Sequence, residues 1–227
     1  MESRIESIDV LKGIGILLVV YGHVCADTEL THFIYSFHMP LFFIVSGFLF
    51  NTSKYDTLKS LVVRRLKTLI CPYILFCFFG IALVSLNAVI THESIGTYMD
   101  TLLKSLYSVI WAPYSIHYFG LFNVPMWFVP CLFLIEVLYY LIDKMCEKIN
   151  GSFGAYTKYF VIAVLVFAGW FMESSLTNIN FSFLPCNFSS ACFSLGFYAI
   201  GNILPPPKNY VFVQAGGRNR LGCYLLR

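Results

Sequence analysis

The stretch FIYSFHMPLFFIVSGFLF, residues 33–50, decides the fold of this chain. It carries one histidine, His38, with Pro40 two residues later, in an otherwise almost wholly apolar run. A helix of roughly 17–25 such residues crosses the hydrocarbon core of a bilayer. The whole chain is similar, being 58% hydrophobic and 12% charged, whereas a soluble domain is about 25% charged. The sequence therefore predicts an all-α integral membrane protein, a polytopic bundle of transmembrane helices.

Further apolar segments repeat this pattern along the chain, and together they predict about six spans. A seventh segment, 95–112, has helical periodicity, and we expect it to lie along the membrane interface. Residues 205–227 begin with a proline-rich break, and we interpret them as a cytoplasmic tail or an aberrant C-terminus. The six predicted spans are 10–26, 33–50, 69–90, 126–142, 157–173 and 188–204.

The distribution of basic residues favours one orientation of these spans. With the N-terminus in the cytoplasm, every Lys and Arg except Lys104 lies on the cytoplasmic side. Acidic residues among the first nine positions argue against a cleaved signal peptide, because such a peptide begins with a basic region. We therefore expect a retained first helix and a multi-pass protein of the cell (inner or plasma) membrane, with membrane lipids as its surroundings.

Several classes of function find no support in the sequence. No dense basic patch with interleaved aromatic residues indicates a nucleic-acid partner. The eight cysteines show no metal-ligand spacing, and most lie in apolar runs as small fillers. We find no P-loop, no GxGxxG and no GxSxG motif. The sequence therefore predicts no metal site and no permanently bound cofactor.

The first span carries ionisable residues, which are costly in a membrane and indicate function. Lys12 and His23 are eleven residues apart, so in a helix they share one face and lie about 16 Å apart along the axis. Asp9 is on that face and can pair with Lys12. Alternatively, Lys12 reaches toward lipid headgroups and His23 meets water at the outer end of the helix.

His38 lies early in the second span, at a depth similar to that of His23. Because the connecting loop is short, we expect the two helices to be antiparallel neighbours and the two imidazoles to be able to meet. Imidazole exchanges protons near neutral pH, and Pro40 frees a backbone carbonyl nearby. The alternatives are an interfacial histidine beside a kink, or a two-histidine metal site that lacks a third ligand.

Two further sets of charged residues lie deeper in the chain. Arg64, Arg65 and Lys67 are at the cytoplasmic mouth of the third span, where they can bind phosphates or simply anchor the helix. Glu136 lies in the middle of the fourth span. It is either a structural hydrogen-bonding group or part of a polar interior.

The segment RIESIDVLKGIGILLVVYGHV (4–24), followed by FIYSFHMPLFFIVSGFLF, resembles the opening of the acyltransferase family 3 membrane proteins, and within them the fucose 4-O-acetylase-like branch. RRLKTLICPYILF (64–76), VPMWFVPCLFLIEVLYYLI (124–142) and FSSACFSLGFYAIGNIL (188–204) resemble later segments, in the same order. The resemblance covers roughly 4–204. It implies that residues 1–204 form part of a membrane acyltransferase domain.

Such proteins transfer an acyl group, usually acetyl from acetyl-CoA as the donor substrate, to a sugar hydroxyl of a surface polysaccharide, a lipid-linked precursor or an exported glycan. The family pattern of a basic residue, ten residues and a histidine falls on Lys12 and His23. A second basic-x-x-basic pattern falls loosely on Arg64 and Lys67. Many relatives have Arg at position 12, and Lys keeps the charge without the bidentate geometry.

The resemblance implies roles for the candidate residues. His23 would be the general base, and His38 would orient it, bind substrate or stabilise the oxyanion. The phosphates of acyl-CoA would meet Lys12, Arg64, Arg65 and Lys67, with Asp9 and Glu136 in support.

Relatives are longer and have more spans, so we expect this chain to be truncated. The rival interpretations are a non-enzymatic membrane protein, such as a glycan transporter component, and an inactive truncated fragment. A transporter has polar residues through several spans. Here the ionisable residues concentrate in the first two spans and at the inner mouth, which favours the enzyme.

Overall fold

The computed structural model describes residues 6–25, 28–111, 124–149, 152–176 and 185–205. These residues form seven α-helices and no strand, which confirms the predicted all-α class. The helices are α1 (Glu6–Val24), α2 (Glu29–Leu49), α3 (Leu58–Ile90), α4 (Ile95–Trp111), α5 (Phe128–Cys146), α6 (Ser152–Leu176) and α7 (Phe188–Ile203).

Four of these helices are long and apolar enough to cross a membrane, namely α1, α2, α3 and most of α6. Helix α7 is apolar but has only 16 residues, and α5 carries Glu136, Asp143 and Lys144. The predicted number of six spans therefore stays a prediction. Of the segment 95–112, residues Ile95–Trp111 form a helix, α4; its position along the membrane interface stays a prediction. Residues 206–227, most of the predicted tail, lie outside the described residues.

Helix α3 begins eleven residues before the predicted span 69–90. Thr57 starts it, because its side-chain oxygen accepts a hydrogen bond from the N–H of Ser60 at 3.2 Å. A π-helical turn follows at Leu66–Ile70, just before Pro72, which lacks the N–H that an α-helix needs there. The 33 residues of α3 extend about 50 Å, so its basic first third reaches beyond a hydrocarbon core of about 30 Å.

The chain divides into two compact units, residues 1–50 with 197–227 and residues 51–196. In the first unit, α1 packs on α2 through two small residues. A Cβ atom on Gly15 would come within 3.0 Å of the Phe42 ring, and one on Gly22 within 3.0 Å of the Tyr35 ring. The two glycines of α1 are seven residues apart, and so are the two aromatic residues of α2 that pack against them. Because glycine has no side chain, the two helices can approach closely.

The C-terminal part of α7 completes the first unit. The side-chain amide of Asn202 donates hydrogen bonds to the carbonyl oxygens of Gly47 at 3.0 Å and Phe50 at 2.9 Å. The last carbonyls of a helix have no partner within the helix. The Gly47 carbonyl also accepts from the Phe50 N–H at 3.2 Å. Asn202 therefore adds a second hydrogen bond there, supplies a donor to the Phe50 carbonyl and joins α7 to the C-terminal end of α2.

The second unit is built around α5. Its buried residues include Cys131, Ile135, Tyr139 and Ile142, whose spacing of three or four makes one continuous stripe. Polar contacts join the neighbouring helices. The Tyr73 hydroxyl of α3 donates to the Val109 carbonyl of α4 at 2.9 Å, and the Lys158 ammonium of α6 pairs with the Asp143 carboxylate of α5 at 2.5 Å.

Candidate active site

His23 lies in the last turn of α1, and its side chain is exposed. Its Nδ1 atom is 2.8 Å from the carbonyl oxygen of Val19, one turn earlier. A carbonyl oxygen can only accept a hydrogen bond, so in the neutral imidazole Nδ1 carries the proton. The Nε2 atom is then left with a free lone pair, as a general base requires.

His38 repeats this arrangement on α2, but its side chain is buried. Its Nδ1 atom is 2.9 Å from the carbonyl oxygen of Ile34. The same argument assigns the proton of the neutral ring to Nδ1 and leaves Nε2 as an acceptor. Both imidazoles are therefore held by the backbone of their own helix in the same tautomer.

Tyr35 contacts both histidines. The centre of its ring is 5.8 Å from that of His23, edge to face, and 5.4 Å from that of His38, with the planes tilted by 46°. Its hydroxyl donates a hydrogen bond to the carbonyl oxygen of Gly22 at 2.5 Å. The sequence predicted two histidines at similar depth on neighbouring helices, and the structure groups them around this tyrosine. Within the described residues the two imidazoles do not hydrogen-bond each other.

Lys12 lies on α1 three helical turns before His23, and its side chain is half-buried. The predicted pairing of Lys12 with Asp9 stays a prediction. Lys12, His23 and His38 all belong to the first compact unit.

The second unit contains an open groove of about 520 Å³ on the first part of α3. Two predicted residues, Arg64 and Lys67, line it together with a third cation, Lys59, which was not predicted as a site residue. Among the residues that the structure describes, no carboxylate lines the groove. The guanidinium of Arg64 also lies 6.0 Å from the ring centre of Tyr55. The six lining residues are Thr57, Lys59, Ser60, Val63, Arg64 and Lys67.

Arg65 does not line this groove with its neighbour. Its Nε atom is 2.5 Å from a carboxylate oxygen of Glu136 on α5, whose side chain is only 3% exposed. Burying a carboxylate next to a guanidinium is the usual way for a protein to tolerate it. The pair explains how the buried carboxylate of Glu136 is accommodated. The predicted binding of acyl-CoA by Arg65 stays a prediction, and its charge already faces a carboxylate.

No three His, Cys, Asp or Glu side chains come together as a metal site would need within the described ranges. Among the described residues, two features therefore remain as candidates for catalysis or ligand binding. They are the histidine pair with Tyr35 in the first unit and the cationic groove in the second unit.

A comparison with protein-family models gives a match over most of the chain. A protein-family model described as an acyltransferase domain, of acyltransferase family 3, matches residues 5–210. This range includes both histidines and all the residues of the groove. Searches of curated proteins and of solved structures found no match.

Proposed function

Because this chain belongs to acyltransferase family 3 and is therefore a membrane acyltransferase, we propose that it transfers an acetyl group from acetyl-CoA to a hydroxyl of a cell-surface or exported glycan. The proposal also places it in the fucose 4-O-acetylase-like branch. The observation that carries it is the state of His23, an exposed imidazole with Nδ1 bound to a carbonyl and Nε2 free.

In the proposed reaction, Nε2 of His23 takes the proton of the sugar hydroxyl as the oxygen attacks the thioester carbonyl. The C–O bond forms, the C–S bond breaks, and the proton passes from His23 to the departing sulfur. The products are the acetyl ester and free coenzyme A, so no other reactant is needed. The hydrogen bond from Nδ1 to Val19 stays in place through the cycle and stabilises the imidazolium that forms.

His38 has a different role in this proposal. Because its Nδ1 proton is already bound to Ile34, the neutral ring has no second proton with which to stabilise an oxyanion. Its free Nε2 can accept a hydrogen bond instead. We therefore assign it to orienting the acceptor, by accepting from a second hydroxyl of the sugar.

In this proposal the acyl donor, acetyl-CoA, binds to the cationic groove. Lys59, Arg64 and Lys67 provide three positive charges with no carboxylate among the lining residues, and phosphate groups of coenzyme A suit such a surface. In the predicted topology the groove faces the cytoplasm, where acyl-CoA is made. Lys12 belongs to the first unit and is also on the cytoplasmic side of that map; its predicted binding of acyl-CoA stays a prediction.

The test is acetyl transfer from labelled acetyl-CoA to a crude glycan extract by membranes that contain the chain. Replacing His23 by alanine removes the proposed base, so we expect kcat to fall about 10²–10⁴-fold. His38→Ala should lower the rate less and raise KM for the acceptor. His32→Ala, an exposed histidine on the same helix as His38, is the matched control and should retain the parent rate.

Two outcomes would contradict the proposal. Full activity of His23→Ala would exclude this residue as the base. No transfer of label by the intact, inserted parent chain would favour a membrane protein without this activity, as the rival interpretations hold.

A separate prediction concerns the binding of acetyl-CoA by the cationic groove. Arg64→Gln and Lys67→Gln should each raise KM for acetyl-CoA by about 10–150-fold with little change in kcat, because each loses a charged hydrogen bond of about 1.5–3 kcal/mol. Lys59→Gln should behave in the same way. Lys148→Gln, an exposed cation outside the groove, is the control, and an equal rise in KM there would show only a general charge effect.

A further inference from the structure

We infer that Tyr35 is the positioning residue that holds His23 in its reactive orientation, through its hydroxyl on the backbone of α1 and its ring on the imidazole. It joins the helix that carries His23 to the helix that carries His38. This inference rests on the proposed function for its kinetic consequence, and on geometry alone for its effect on the imidazole.

The hydroxyl acts on the backbone. Gly22 is the residue before His23 and lies in the last turn of α1, where carbonyl groups run out of helical donors and the helix tends to fray. The Tyr35 hydroxyl donates to the Gly22 carbonyl at 2.5 Å. This bond comes from another helix, so it ties down the turn that presents His23.

The ring acts on the side chain. Its edge-to-face contact with His23, at 5.8 Å between ring centres and 77° between planes, limits rotation of the imidazole away from the Val19 carbonyl. Because Tyr35 is 43% exposed and His23 is exposed, the contact leaves the region around His23 open to a substrate.

Gly22 is the small residue that this arrangement needs. A Cβ atom there would come within 3.0 Å of a Tyr35 ring carbon, so any larger residue would displace the ring. The local sequence Tyr21-Gly22-His23 thus places the smallest residue beside the base, and Tyr35 fills the space that it leaves.

The experiment compares Tyr35→Phe, which keeps the ring, with Tyr35→Leu, which removes both contacts. Two quantities are measured in membranes with the full chain, namely steady-state transfer and the rate at which diethyl pyrocarbonate modifies His23, followed by peptide mass spectrometry. Modification of His92, an exposed histidine of the second unit, is the internal reference. Tyr98→Phe is the matched control, because it also removes one interhelical hydrogen bond, that to Ser85 at 3.0 Å.

We expect Tyr35→Phe to lower kcat roughly fivefold, which corresponds to the loss of one hydrogen bond of about 1 kcal/mol, with KM for acetyl-CoA unchanged. Tyr35→Leu should lower kcat further. In both variants His23 should be modified several-fold faster relative to His92, as expected for a turn that opens more often.

An unchanged modification rate of His23 in Tyr35→Leu would overturn the inference, and so would an equal fall in kcat in Tyr98→Phe. The modification assay does not depend on acetyl transfer. If the parent chain transfers no acetyl group, the proposed function fails, and the modification rate alone then decides the role of Tyr35.

Discussion

Replacing Glu136 by glutamine is expected to lower the free energy of unfolding by about 3 kcal/mol, because it breaks a buried ion pair on one side only. The carboxylate is 3% exposed and lies 2.5 Å from the guanidinium of Arg65, itself 24% exposed. Arginine cannot lose its proton, so the charge would stay beside α5 without compensation. The apparent midpoint of thermal unfolding in detergent should fall by roughly 6–12 °C for a chain of this size.

Two further variants separate the pair from a general effect of charge. Glu147→Gln removes a carboxylate whose partner is the partly exposed Lys144, at 2.9 Å. Pairs of that kind contribute about 0–1 kcal/mol, so this variant should unfold almost like the parent. The double variant Arg65→Met with Glu136→Leu should recover most of the stability, because an apolar pair has no charge to bury. A midpoint for Glu136→Gln equal to that of Glu147→Gln would refute the stabilising role of the pair.

The helices could largely be predicted from composition and apolar run length, because a bilayer forces a long apolar segment into a helix that satisfies its own backbone. The start of α3 could not be found in this way. Its first residues, Leu58–Arg65, are polar on average, and they form a helix because of the Thr57 cap and continuity with the apolar part.

Because the start of α3 was not predicted, Lys59 was not recognised as a residue of the candidate site. Once a helix is drawn through residues 58–67, Lys59, Arg64 and Lys67 fall on one side of it at intervals of five and three. Helical spacing from the Thr57 cap would have found Lys59. By contrast, no local pattern connects Arg65 with Glu136, which lies 71 positions later, because that contact depends on how α3 and α5 pack.

For the two histidines, one feature could be predicted from the sequence and another could not. Their matching depth followed from the short loop between two antiparallel helices. The role of Tyr35 did not follow from any motif, since a tyrosine three residues before a histidine also fits an interfacial aromatic residue. The packing of Gly22 against the Tyr35 ring, together with that of Gly15 against the Phe42 ring, shows which side of α2 faces α1.

Replacing Gly47 by valine is expected to have the other large effect, a loss of stability of at least about 3 kcal/mol. A Cβ atom at this position would collide with the backbone carbonyl of Tyr198, and one at Gly201 would collide with that of Ile44. Overpacking typically costs about 1–3 kcal/mol when side chains can move. Here the obstacle is backbone on both sides, so α2 and α7 would have to separate and break the Asn202 hydrogen bonds.

Other glycines of the first unit provide a graded control for this prediction. Gly13 has no atom within 4 Å of a Cβ position, so Gly13→Ala should be neutral or stabilise the helix by up to about 1 kcal/mol. At Gly15 the obstacle is the Phe42 ring at 3.0 Å, and a side chain can shift, so alanine there should cost less than Gly47→Val. Midpoints of thermal unfolding in the order Gly13→Ala, Gly15→Ala, Gly47→Val, from highest to lowest, would support backbone contact as the cause. Equal midpoints for the three would contradict it, since helix propensity alone favours replacing glycine at every one of these positions.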